Sequence, residues 1–140
     1  MAKGIKTLIR LNDWSVDQKR RKLGSLLSLI EGFEVELQKL EEELVHEQAA
    51  AAAAPNEGGF VYGYYADRVI ERRAIIQISI QQLEKEADEA REELSKAYRE
   101  LKKFTTALEV RELREVTELA RKEQLELDEV GIKSFIQKLV

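Results

Sequence analysis

At 140 residues, with 36% charged and only 6% aromatic side chains, the chain has material for one domain and more surface than interior. A net charge of −4 argues against a nucleic-acid binder, and the lack of cysteine excludes a disulfide framework, a zinc-finger spacing and a thiol nucleophile. No stretch approaches the ~20 apolar residues of a membrane span and no apolar signal region opens the sequence, so the expectation is a soluble cytoplasmic protein without membrane insertion.

The first predicted element is a helix over about 3–54. Apolar residues recur every seven positions at Ile9, Val16, Leu23, Ile30, Leu37 and Leu44, with a companion row at Ile5, Leu26, Phe33 and Leu40. These are the a and d rows of a heptad. Asn12 and Lys19 interrupt the second row, while Thr7, Leu8, Leu27 and Leu29 lie off the stripe. Trp14 falls near the interruptions, where an indole either covers a weak layer or serves as a separate contact. A basic run, Lys19, Arg20, Arg21 and Lys22, reads as a solvated helix face or as a partner-binding patch.

The helix then runs through a string of alanines into Pro55-Asn56-Glu57-Gly58-Gly59. Proline removes a backbone donor and paired glycines permit positive φ, so the sequence predicts a turn over 55–59. Four aromatics follow at once: Phe60, Tyr62, Tyr64 and Tyr65. They either wrap the tip of a hairpin or anchor a partner there.

A second helix is predicted over about 61–130. Its rows are Val69, Ile76, Leu83, Ala90, Ala97 and Phe104, with Ile80, Ala87, Leu94, Leu101 and Leu108, broken only by Arg73. A connection this short makes antiparallel neighbours the accessible arrangement, hence an all-α fold of two long helices in a coiled-coil hairpin. A fold-back centred on Asn56 and Glu57 sets Ile30 against Leu83, Phe33 against Ile80, Leu37 against Ile76 and Leu23 against Ala90. The same register brings Glu43 near Arg72 and Lys22 near Glu93, and sets Arg20 unfavourably near Arg91.

Helix 2 is the longer, so its C-terminal part must overhang. Continuing its rows past Leu108 meets Arg111, Glu115, Glu118 and Lys122, all charged. A weaker stripe out of phase follows at Val110, Leu113, Thr117, Ala120 and Leu127, which reads either as a frayed helix or as a face awaiting a partner. Gly131 reads as a C-cap, leaving 131–140 as a tail that is either disordered when free or a short docking helix. No enzyme motif is present: His46 stands alone at an outward position, and there is no phosphate cradle, nucleophile elbow or Glu-x-x-His pair. Nothing calls for a cofactor or a metal.

Three stretches carry a family likeness: "IKTLIRLNDWSVDQKRRKLGSL" at the start, "FVYGYYADRVIERR" after the turn and "LELDEVGIK" near the end. Together they resemble the flagellar export protein FliJ family in its alphaproteobacterial form. The resemblance implies a non-enzymatic component of the flagellar type III export apparatus, cytoplasmic and peripheral to the inner membrane. Such a protein is a stalk-like link between the hexameric export ATPase and the membrane export gate that helps escort chaperones or substrates, and is a monomer when isolated. The overhang and the basic N-terminal region would then be the end inserted in the ATPase ring, and the tip aromatics a contact toward the gate. The alternative is a generic coiled-coil adaptor that self-associates, or scaffolds other proteins, through its overhang.

Overall fold

The computed structural model describes the backbone of Ala2–Ala53 and Pro55–Leu139 and the side-chain surroundings of residues 3–53 and 62–139. The chain is all-α, a hairpin of two long helices: α1, Ala2–Ala53, and α2, Pro55–Leu139. Their antiparallel direction follows from four cross-helix contacts, which run from Lys22 with Glu93 to Glu43 with Tyr65. Lys22 pairs with Glu93 at 3.5 Å, Glu36 with Arg72 at 2.6 Å, Glu41 with Arg73 at 3.1 Å, and Glu43 with the Tyr65 hydroxyl at 3.3 Å.

The packing follows the heptad rows. Every a and d position named above is buried or half-buried in both helices, and even Asn12, Lys19 and Arg73 are drawn partly inside. The fully covered layer is small: Val16, Ile30, Val69, Ile76, Ala87, Ala90 and Ala97. The alanines of α2 belong here because a two-helix seam closes tightly only where large side chains on one helix meet small ones on the other.

Two compact units divide the chain: residues 16–96, and residues 1–15 with 97–140. In the first, described contacts join α1 and α2 from Lys22 with Glu93 to Glu43 with Tyr65. In the second, the half-buried rows of α2 stop at Arg111, level with the start of α1 in the expected register, and every described side chain from Glu112 onward is exposed. α2 therefore overhangs α1 by roughly 40 Å at 1.5 Å per residue.

The element ends differ from the sequence expectation in two places. The break contracts: α2 already begins at Pro55, so 55–59 belongs to helix, and the connection at position 54 lies outside the described residues. Proline suits this site because the first helical position needs no backbone donor and its fixed φ is helical. At the other end α2 continues through Gly131 to Leu139, so Gly131 is not a C-cap and 131–139 is helix. No glycine among the described residues takes a positive φ, and the space around the missing Cβ of Gly131 is open. A glycine in mid-helix costs only about 1 kcal/mol relative to alanine, so one glycine weakens a long helix without stopping it.

The expected flank charges need one correction. Arg72 donates from both Nε and Nη2 to Glu36, at 2.9 and 2.6 Å, rather than meeting Glu43, whose carboxylate accepts from Tyr65. The expected clash of Arg20 with Arg91 is relieved because Arg91 turns to Asp88 on its own helix at 2.8 Å.

Candidate functional site

Among the described residues no group of acidic, histidine or cysteine side chains could hold a metal ion, and no polar side chain is buried. The candidate contact residues group into surfaces. Four of them matter, and each lies within a single unit.

The overhang is the largest. Leu113 and Leu127 are 67% and 66% exposed, and Val110 and Ala120 are exposed with them. Local bonds hold the helix where no second helix supports it. Thr117 donates to the Leu113 carbonyl at 2.8 Å, Arg121 pairs with Glu118 at 2.6 Å, and Arg111 lies 3.7 Å from Glu115. The Arg121 guanidinium, first by its hydrogen bond and then by its charge, holds the Glu118 carboxyl below its ordinary range. The structure adds three exposed apolar residues that the sequence reading passed over, Val116, Leu119 and Val130, for which helical spacing carried a signal. Phe135 and Ile136, in the tail, are exposed on the same continuous helix.

The basic run does not act as one patch. Lys19 points into a half-buried layer, Arg21 is tied to Asp17 at 3.1 Å, and Lys22 is tied to Glu93. Arg20 is exposed. The heptad explains the division, because four consecutive residues on a helix face four directions.

The aromatics after the connection divide as well. The Phe60 side chain lies outside the described residues. Tyr62 and Tyr65 are half-buried against the hairpin, and the Tyr65 hydroxyl, partly desolvated and close to the Glu43 carboxylate, is held above its ordinary pKa. Tyr64 faces solvent, with the Arg68 guanidinium 6.0 Å from its ring centre, at the outer limit of a cation–π contact. Of the three tyrosines in this cluster, Tyr64 is the one presented outward.

Trp14 is 62% exposed, so it covers no weak layer. Asn12 is satisfied instead by donating to the Leu8 carbonyl at 2.7 Å. Leu11 and Trp14 are both exposed on the outer side of α1.

Comparison with known proteins gives one consistent result. The family model described as Flagellar FliJ protein matches residues 2–139. Two curated relatives, the Flagellar FliJ proteins of Caulobacter vibrioides strains NA1000 / CB15N and ATCC 19089 / CIP 103742 / CB 15, are each 26% identical over 133 residues, covering 95% of this chain and 95% of their own. No solved structure matches the chain.

Proposed function

This chain belongs to the flagellar FliJ protein family, and on that premise we propose that it is a non-enzymatic, stalk-like link between the hexameric export ATPase and the membrane export gate. Its place is the cytoplasmic side of the inner membrane, where it also helps escort export chaperones or substrates. No described helix is long and apolar enough to cross a membrane, which suits a peripheral component. The observation that carries the reading is the overhang: α2 outruns α1, and its apolar side chains past Arg111 have nothing of their own unit over them. A lone amphipathic helix on a coiled-coil shaft is the shape an axial pore accepts, and buried apolar anchors supply most of the energy of such contacts. Tyr64, the outward tyrosine that follows the connection, is the counterpart contact toward the gate.

The test is a titration of the full chain against the export ATPase hexamer with nucleotide present. Replacing Leu113 and Leu127 by Ser should weaken binding at least about tenfold, since two central anchors are each worth more than ~1 kcal/mol. Tyr64→Ser should leave that binding intact. Unchanged binding after the leucine changes, with loss in the tyrosine variant, would put the tip rather than the open end in the ring.

A further inference from the structure

Within the unit made of residues 1–15 and 97–140, two exposed bands of charge are complementary in order but cannot reach each other. On α1, Lys3, Lys6 and Arg10 share an outward side with Trp14, and Asp13 closes the row. On the overhang, Glu123, Glu126 and Glu129 precede Lys133, with Leu127 and Val130 among them. All eight charged side chains are exposed, and none takes part in an ion pair among the described residues. The signs run plus, plus, plus, minus on α1 and minus, minus, minus, plus on α2, at spacings of three or four residues.

Laid parallel, the two segments put Glu123 beside Lys3, Glu126 beside Lys6, Glu129 beside Arg10 and Lys133 beside Asp13. Within one chain that meeting is barred, because α2 runs antiparallel to α1 and carries its acidic band roughly 20 Å beyond the start of α1. Folding back would require a break between Glu112 and Lys122, a stretch without glycine or proline that is continuous helix. A second copy turned end for end meets no such obstacle, since its overhang runs parallel to the first copy's α1.

We propose that the free protein departs from the monomer implied by the family likeness: its overhang is covered by a second copy of this chain, in a two-fold dimer where the segment from Glu123 to Lys133 of each copy lies along the segment from Lys3 to Asp13 of the other. The same alignment runs the two overhangs antiparallel, with Leu113 level with the partner's Ala120 and Val116 level with the partner's Thr117. Bulk alternates along the parallel segments too: Trp14 is level with the partner's Ser134, and Thr7 with the partner's Leu127. A similar charge order stands at Glu112, Glu115, Glu118 and Lys122, but Arg111 already holds Glu115 and Arg121 already holds Glu118. The unclaimed copy of the pattern is the distal one.

Exposed ion pairs are individually weak and screened by salt, so this dimer is reversible, loosens as ionic strength rises, and gives way to the monomer on dilution. It buries the surface that any other partner of the overhang would use.

Sedimentation equilibrium on the full chain tests the proposal with two triple variants: Lys3→Glu with Lys6→Glu and Arg10→Glu, and Glu123→Lys with Glu126→Lys and Glu129→Lys. Either variant alone should dimerise at least about tenfold more weakly, because three of the four proposed pairs in each segment become repulsions. An equimolar mixture of the two should recover dimerisation to within about threefold of the parent chain, since in the mixed dimer both segments are complementary again. Circular dichroism should show helix retained in both, as all six side chains are exposed. A parent chain that stays monomeric into the millimolar range, or a mixture no tighter than its components, overturns the proposal. So does a compact state independent of concentration, which would mean the overhang folds back within one chain.

Discussion

Arg72 lays its guanidinium against Glu36, with Nη2 2.6 Å and Nε 2.9 Å from the same carboxylate oxygen, across a seam that Lys22 and Glu93 cross further along at 3.5 Å. In an antiparallel heptad pair such flanking contacts lie on either side of a core layer. These two together fit the register that sets Ile30 against Leu83, and a slip of one heptad in either direction loses one of them. Both pairs are about half exposed and worth at most about 1 kcal/mol each, so they report the register while the apolar layers set it.

That register is open to chemical test. Cysteines at Ile30 and Leu83 should form a disulfide within one chain under mild oxidation, whereas cysteines at Ile30 and Ala90 should not, being about 10 Å apart along the axis, beyond disulfide reach. Non-reducing electrophoresis reads the outcome. Crosslinking of the second pair in preference to the first would mean a shifted seam.

Ile76 has none of its surface exposed, while Ile75 beside it is 52% exposed. Ile76→Ala should destabilise the hairpin by about 2–5 kcal/mol and Ile75→Ala by less than about 1. Urea denaturation followed at 222 nm checks the contrast, and equal losses would contradict the assigned core face.

Lys19 and Leu94 are both half-buried in one layer, and Lys19 has no ion-pair partner among the described residues. Lys19→Leu should raise stability by about 1 kcal/mol, enough to lift the melting temperature by several degrees. A fall would show that the amine makes an interaction on which the layer depends.

Gly131 lies within α2, without positive φ and with open space around its missing Cβ. Gly131→Ala should therefore strengthen the last turns by about 0.5–1 kcal/mol, seen as slower amide hydrogen exchange over residues 132–139. Faster exchange would restore the reading of Gly131 as a helix end, since a left-handed cap penalises alanine.

Ile76, Ala90 and Leu94 were legible as core because heptad periodicity depends only on helix geometry and on the cost of leaving apolar surface in water. The same geometry told where the partner of α2 runs out, since Arg111, Glu115 and Glu118 replace the apolar row there. Helix ends and side-chain directions were not legible in this way. Pro55 begins a helix as readily as it ends one, and Gly131 weakens a helix without stopping it, so both depend on what their neighbours do. Within the basic run, Lys22 finds Glu93 only because the opposite helix presents it, while Trp14 stays exposed because its heptad position points away from the seam. Sequence by itself determined that two helices pair, in which register, and that one outruns the other. Tertiary structure alone decided which of the candidate contact residues are spent inside the hairpin and which, like Tyr64, Leu113 and Leu127, are left facing water, because that choice lies in distances between side chains far apart along the chain.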